Sequence, residues 1–342
     1  MNAPRPITIV GGGLAGLSLG IALRRAGVET RIIEAGHYPR HRVCGEFITG
    51  LDDATIERLG IGPALAGAGS PRGVTFFHRG RTIGRHALPA PARTISRFTL
   101  DARLAGMFTA AGGGLSTDQR VATQTLEPGW VRTTGRKRTD ASPWMGLKLH
   151  ARNLATTDEL ELHLGEGAYV GLSAVEGGWI NVCGLFRRRP GLRFDRADAL
   201  ASCLSASGLA ELAGRLEAAE IRPDSRSAVA GFGFDRRLPE TEGVELGDAN
   251  AVIPPFTGNG MAMAFAGAAR ALDPLVAWAR GGPSWRETAG TIHHSLQREF
   301  KRRLACAAVL HPFLLTPAWQ GFLGTASRAG LLPVDAMYRL LH

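Results

Sequence analysis

The chain has 342 residues, of which 44% are hydrophobic and 20% are charged, so it is long enough for two domains and is neither disordered nor fibrous in composition. Its 40 basic and 30 acidic residues give a net charge of +10, and almost all of the basic residues are arginine. The 4 cysteines form no CxxC pair and no regular spacing. This argues against a zinc site or a disulfide framework and favours the reducing cytoplasm.

The net positive charge gives information about binding partners and not about the fold. Short basic runs such as 187–189 lack interleaved aromatic residues, which argues against nucleic acid. Genomic codon bias explains an arginine excess without any partner. An acidic carrier protein and peripheral contact with an anionic membrane are the alternative interpretations.

The N-terminal region is typical of the start of a βαβ unit. A β-branched strand at Ile7–Val10 leads into three glycines, a helix is predicted over 14–26, and a second strand over 30–33 ends at Glu34. Sheet is predicted again from Val74, and a helix over 97–111.

The middle of the chain is predicted to form an antiparallel sheet, because runs rich in apolar residues alternate with glycine-containing turns. These four runs are 144–150, 160–164, 168–173 and 179–186. The later predicted elements are a helix over 199–220, a strand over 244–246, a helix over 261–279, and C-terminal helices broken at Pro312, Pro317 and Pro333.

This order of elements predicts an α/β fold, in which a Rossmann-type nucleotide-binding domain surrounds an inserted antiparallel sheet and C-terminal helices follow. The predicted domains are a discontinuous nucleotide-binding domain at 1–70, 94–138 and 226–284, a substrate domain at 71–93 and 139–225, and a helical segment at 285–342.

The glycine loop fits G-x-G-x-x-G and lies between a strand and a helix, as this motif requires. Gly11 permits the tight turn, Gly13 lets the backbone approach a pyrophosphate, and Gly16 lets the helix pack closely on the strand. Glu34 lies 21 residues after Gly13, where a carboxylate accepts hydrogen bonds from an adenosine ribose. The loop predicts a dinucleotide site and leaves the choice between nicotinamide and flavin open.

A second group of motifs lies near residue 250. Gly247-Asp248 follows a strand, and Pro254–Gly260 precedes a long helix whose first N–H groups can stabilise negative charge on a ring. The two segments resemble the GD motif and the Pro-x-x-Gly-x-Gly segment of single-Rossmann flavoproteins such as the aromatic hydroxylases. This resemblance implies FAD, with Asp248 at its ribitol and the N–H groups of Gly260 and Met261 at its isoalloxazine ring.

The segment Arg42–Phe47 indicates a narrower family among these flavoproteins. It is similar to the R/K-x-C-G segment of geranylgeranyl reductase-like flavoproteins, and Ser96-Arg97 followed by Leu100-Asp101 resembles a helix start of the same family. Residues 144–183 resemble its substrate sheet. The resemblance implies an FAD site made of Gly11, Gly13, Ala15, Gly16, Glu34, Arg42, Cys44, Gly45, Arg97, Val121, Asp248, Gly258, Gly260 and Met261.

Cys44 and Glu46 are the candidate catalytic side chains, because their loop is expected to face the flavin ring. A buried Glu46 would have a raised pKa and could donate a proton. The alternatives are a small buried thiol and a helix-capping or surface acid. No metal site is predicted, because Pro39 separates His37 from His41 and no H-E-x-x-H pattern occurs.

The sequence therefore predicts an FAD-dependent oxidoreductase that reduces or dehydrogenates carbon in an apolar, polyketide- or isoprenoid-like molecule. The alternatives are an FAD-dependent monooxygenase and a flavin-binding protein without catalysis. Residues 133–137 read Thr-Thr-Gly-Arg-Lys where many hydroxylases have an Asp-Gly motif tied to NADPH. Reduction of the flavin by free NADPH or NADH is therefore expected to be slow, with an electron-donor protein or the substrate itself supplying the electrons. NAD(P)H as an external reductant is the alternative.

Overall fold

Two sheets organise the chain in a computed structural model, which describes residues 4–122, 127–137, 139, 142–189, 198–235, 238 and 243–341. The strands in this part of the chain are β1 Ile7–Val10, β2 Thr30–Ile33, β3 Phe47–Ile48, β4 Gly73–His78, β5 Arg81–Ala87, β6 Arg93–Thr94, β7 Gly114–Ser116, β8 Trp130–Arg132, β9 Trp144–Arg152, β10 Leu160–Gly165, β11 Ala168–Val175, β12 Trp179–Arg187, β13 Glu220–Ala230 and β14 Val244–Glu245. The α-helices are α1 Leu14–Arg25, α2 Asp53–Leu59, α3 Arg97–Ala110, α4 Ala199–Ala206, α5 Ala210–Glu217, α6 Gly260–Ala279, α7 Trp285–Leu315, α8 Pro317–Arg328 and α9 Val334–Leu341.

The first sheet is parallel and has the strand order β14-β8-β1-β2-β7. Helix α1 follows β1 and is buried along most of its length, packed against α3 and α6. Small residues permit this packing, since a Cβ at Gly20 would lie 2.8 Å from the ring of Phe108. The predicted βαβ start and the α/β fold are confirmed.

The second sheet has the strand order β13-β9-β12-β11-β10-β4-β5. Its neighbouring strands are antiparallel except for the parallel pair β10 and β4. Helices α4 and α5 cover its outer face with a leucine-rich cluster. Because side chains alternate across a strand, Gly146, Lys148 and His150 of β9 share the opposite, inner face. That face looks towards the nucleotide-binding sheet.

Three sequence predictions need correction. The helix predicted over 199–220 is two helices, because the chain turns at Gly208 with a φ of 75°. Strand β13 was not predicted, and it runs across the predicted domain boundary between 225 and 226. Pro312 does not break the C-terminal helix, since α7 continues to Leu315. No helix in the described ranges is long and apolar enough to cross a membrane.

Candidate active site

One large cavity, of about 800 Å³, extends from the glycine loop to the inner face of the second sheet. Every residue of the predicted FAD site except Gly16 lines it. The lining residues of this cofactor end are Gly11, Gly13, Ala15, Glu34, Arg42, Cys44, Gly45, Arg97, Val121, Asp248, Gly258, Gly260 and Met261.

The glycine loop has the local geometry of a phosphate-binding turn. Gly11 adopts a φ of +107°, and a Cβ there would lie 2.4 Å from the carbonyl oxygen of Thr133. A Cβ at Gly16 would lie 2.2 Å from the Gly11 carbonyl oxygen, so this glycine serves the packing of α1. A Cβ at Gly13 would meet nothing within 4 Å, which leaves its backbone open on the cavity side.

Glu34 ends β2 at the edge of the cavity. Its carboxylate accepts hydrogen bonds from the N–H groups of Gly12 at 2.5 Å and Gly36 at 3.0 Å, and Arg40 donates to it at 2.5 Å. Burial alone would raise the pKa of Glu34, but Arg42, the Gly12 N–H and Arg40 together hold that pKa below its ordinary value. The residue is therefore an ionised acceptor where an adenosine ribose is expected.

Two arginines bring positive charge to the centre of the cavity. Arg97 binds the buried Asp101 through two hydrogen bonds of 2.7 and 2.8 Å. Arg42 Nε lies 3.0 Å from the same carboxylate, yet its Nε and Nη2 atoms are buried without a well-formed hydrogen bond in the described structure. Unsatisfied guanidinium donors in a cavity suit an anionic ligand group.

Asp248 and the start of α6 form the opposite wall. Burial raises the pKa of Asp248, while Arg136 and Arg97 oppose that rise. Gly258 has a φ of +67°, a left-handed conformation that favours glycine, and α6 begins two residues later with Gly260 and Met261 lining the cavity. A helix N-terminus presents free N–H groups and a partial positive charge.

These features fit FAD. The open backbone at Gly13 suits the pyrophosphate, Glu34 suits the ribose, and the N-terminus of α6 suits the electron-rich edge of the ring. When bound, the flavin would supply the two-electron redox chemistry. The chain would supply position, charge and protons.

Glu46, the predicted proton donor, is not on the cavity wall. It is fully buried, has a φ of 53°, and accepts a hydrogen bond of 2.9 Å from the Arg97 N–H. Lys148 Nζ lies 3.1 Å from Oε1, and His150 Nε2 lies 2.7 Å from Oε2. Both of these side chains come from the inner face of β9.

The predicted increase in the pKa of Glu46 is wrong. Burial alone would raise it, but the hydrogen bond from His150 and the charge of Lys148 outweigh burial and lower the pKa. Glu46 is therefore an ionised anchor behind the cavity wall. A non-glycine residue at positive φ costs about 1–3 kcal/mol, which these contacts offset.

The sheet holds the same loop at two further points. Asn181 Nδ2 donates to the Cys44 carbonyl oxygen at 3.1 Å, and Ser173 Oγ donates to the Gly45 carbonyl oxygen at 3.1 Å. Sequence reasoning missed these anchors and the partners of Glu46 on β9. The available signal was Lys148 and His150 alternating with leucines in a predicted strand, since buried charged side chains need partners.

Cys44 lines the cavity as predicted from its loop. Burial raises the pKa of its thiol, and the nearby Arg97 only partly opposes this. The thiol is therefore protonated at neutral pH and is a poor nucleophile.

The far end of the cavity is apolar and aromatic. Its lining side chains include Leu160, Leu162, Tyr169, Cys183, Leu185, Val229, Phe232, Phe234 and Phe256. Behind them the buried His311 stacks on Phe256, and its Nε2 lies 3.4 Å from the Tyr169 hydroxyl. Within the described ranges, no group of three or more His, Cys, Asp or Glu side chains is arranged to hold a metal ion.

Comparison with known proteins agrees with this geometry. Residues 5–145 match the family model FAD_binding_3, described as FAD binding domain. A curated relative, menaquinone reductase of Mycolicibacterium smegmatis, is 25% identical over 125 residues. That alignment covers 35% of this chain and 31% of the relative, so it spans about a third of the relative's length.

Solved structures share the fold over nearly the whole chain. The flavin-dependent brominase Bmp2 is similar with a TM-score of 0.75 at 18% identity, covering 98% of this chain and 93% of its own. Klebsiella pneumoniae HpxO, complexed with FAD and uric acid, has a TM-score of 0.74 at 18% identity, with 98% and 96% covered. Pseudomonas putida p-nitrophenol 4-monooxygenase PnpA has a TM-score of 0.78 at 12% identity, with 100% and 97% covered. The chain therefore contains an FAD-binding domain at residues 5–145 and has the fold of these flavin-dependent enzymes.

Proposed function

We propose that the protein transfers hydrogen to or from a carbon atom of an apolar, isoprenoid- or polyketide-like molecule. The composition of the cavity supports this. Among the lining residues that the structure describes, the only carboxylates are Glu34 and Asp248, and both belong to the cofactor end. The far end has mainly leucine and phenylalanine walls, with the Arg136 guanidinium 4.8 Å from the Phe232 ring as a cation at its border. A charge on a substrate beyond the reach of Arg136 would be costly.

The proton of such a reaction needs a donor on the apolar wall, and Tyr169 is placed to hold it. Reducing a carbon–carbon double bond adds a hydride and a proton, and a bound, reduced flavin would supply the hydride. Burial raises the pKa of Tyr169 well above its ordinary value and lowers the pKa of His311 to about 4. At neutral pH the phenol therefore keeps its proton beside a neutral imidazole and can donate a hydrogen bond to a substrate atom, while its high pKa makes it a weak general acid.

The finer relationship to geranylgeranyl reductase-like flavoproteins is part of the proposal. Its support is the Arg42–Phe47 segment, together with the partial match to a protein named menaquinone reductase. Menaquinone, an isoprenoid quinone, is accordingly the first probe to use.

A monooxygenase acting on an apolar aromatic compound is the second candidate. Its support is the names of the structural neighbours, among them p-nitrophenol 4-monooxygenase. An apolar cavity end also suits a reaction from which water must be excluded.

One experiment separates the two candidates. The FAD-loaded protein is photoreduced without oxygen and mixed with detergent-dissolved menaquinone and a panel of polyunsaturated isoprenoids. We expect flavin reoxidation without oxygen and a product heavier by two hydrogens, which it keeps after any quinol has been reoxidised to quinone in air. Reoxidation that requires oxygen and adds one oxygen atom to the compound would favour the monooxygenase and refute hydrogen transfer.

A further inference from the structure

An apolar surface is exposed at the C-terminal helices. Within the described structure the exposed large hydrophobic side chains are Val309, Trp319, Phe322, Leu331 and Leu340, and all belong to the last three helices or their connections. We define the C-terminal apolar patch as Val309, Phe313, Trp319 and Phe322. Val309 is 65% exposed, Trp319 46% and Phe322 60%. The Phe313 and Trp319 rings lie 4.6 Å apart, and those of Trp319 and Phe322 lie 6.0 Å apart.

The patch has a basic border. One face of α7 exposes Arg298, Arg302, Ala305 and Val309, which follow one another at intervals of four, three and four residues. Along this face the exposed residues change from arginine to apolar. Residues 298–341 contain six basic residues and two acidic ones. An aromatic apolar surface bordered by arginine is typical of proteins that bind an anionic bilayer surface.

The same turns of α7 close the substrate end of the cavity. Val309 and Phe313 face outwards, while His311 and Leu314 are buried in contact with Tyr169 and its neighbours. The patch and the apolar cavity therefore lie on opposite sides of one helix, about 10 Å across. A surface that contacts lipid at this point lies next to the site of an apolar substrate.

We propose that the C-terminal apolar patch docks on the surface of an anionic membrane, with Trp319 and Phe322 among the lipid headgroups and Arg298 and Arg302 on anionic phosphates. The docking itself does not depend on the proposed function. The additional inference that the membrane also holds the substrate does rest on it. A second copy of the chain is a poorer occupant, because pairing two patches would bring arginine against arginine.

Vesicle sedimentation of the FAD-loaded protein tests the docking. The vesicles are phosphatidylcholine alone or phosphatidylcholine with phosphatidylglycerol, at low and high salt. We expect binding to the anionic vesicles only, weakened by salt. The double variant R298Q/R302Q should bind about 30-fold more weakly, at about 1 kcal/mol for each basic residue at the surface. The double variant W319Q/F322Q should lose at least about tenfold.

The matched control is R31Q/R226Q, which removes two exposed arginines from strands distant from the patch. It should bind within about twofold of the wild type. Equal loss in the control, or no binding of the wild type to anionic vesicles, would overturn the proposal. Dissociation of a wild-type dimer by W319Q/F322Q, seen in analytical ultracentrifugation without vesicle binding, would instead assign the patch to a second copy. Flavin content checks folding, and activity on detergent-dissolved menaquinone tests the proposed function separately.

Discussion

Replacing Glu46 by glutamine should destabilise the protein strongly. The substitution preserves size and removes the charge that faces Lys148, whose side chain is 0% exposed and whose Nζ lies 3.1 Å away. The Lys148 ammonium would then be buried with its main counter-charge gone. Breaking a buried pair in this way costs about 3–5 kcal/mol, against a total stability of about 5–15 kcal/mol for a typical domain.

Two further variants separate the charge effect from other causes. E46Q/K148M removes both charges and should recover most of the loss, because no isolated buried charge remains. D53N removes the ion pair between Asp53 and Arg93. The two side chains lie 2.8 Å apart, but the Asp53 carboxylate is 93% exposed. The substitution should therefore lower the free energy of unfolding by less than about 1 kcal/mol.

The assay is urea unfolding followed by circular dichroism at a fixed, saturating FAD concentration, since FAD binding itself stabilises the folded state. The folded-state pKa of Glu46 is lowered. Its contribution is therefore complete above the ordinary carboxyl pKa of about 4.3 and is lost as the pH falls through the lower folded value. The difference between wild type and E46Q should shrink over that acid range. If E46Q is no less stable than D53N at neutral pH, or if E46Q/K148M is no more stable than E46Q, the anchoring role is refuted.

Three other predictions concern the reaction. Cys44→Ser should keep FAD binding but lower turnover, because the thiol lines the cavity while the phosphates are held elsewhere; wild-type turnover would make Cys44 a packing residue only. Tyr169→Phe should keep flavin content and slow hydrogen transfer by about 10²–10⁴-fold, whereas Tyr338→Phe, outside the cavity lining, should not. NADH and NADPH should bleach the flavin band near about 450 nm only slowly in anaerobic stopped flow. Fast bleaching would show that residues 133–137 suffice without an Asp-Gly motif.

The cofactor end was predictable because its residues are fixed by local backbone requirements. At Gly11 and Gly16 a Cβ would clash with backbone atoms. Glu34 directly follows β2, which pairs with β1. These backbone constraints each depend on a short segment of the sequence. A spacing of glycines and one acid is therefore enough to place them.

The anchoring of the loop was not predictable, because it depends on contacts between distant strands. The sequence around Glu46 leaves open whether its carboxyl is buried or at the surface, and burial alone would raise its pKa. Only the register of β9 shows that Lys148 and His150, about a hundred residues away, reverse that shift. Strand β13 escaped prediction for a related reason: it contains Pro223 and an irregularity between Arg222 and Ser227, features tolerated at the edge of a sheet.

The central claim is that one cavity holds FAD at one end and an apolar molecule at the other, and ligand analysis of the purified protein tests it most directly. Heat-released ligands are identified by mass spectrometry for the wild type and for Leu162→Trp, which places a larger side chain on the apolar wall. We predict FAD in both proteins, and an uncharged apolar compound that the wild type retains and Leu162→Trp loses. FMN in place of FAD, or a charged ligand retained equally by both proteins, would contradict the account.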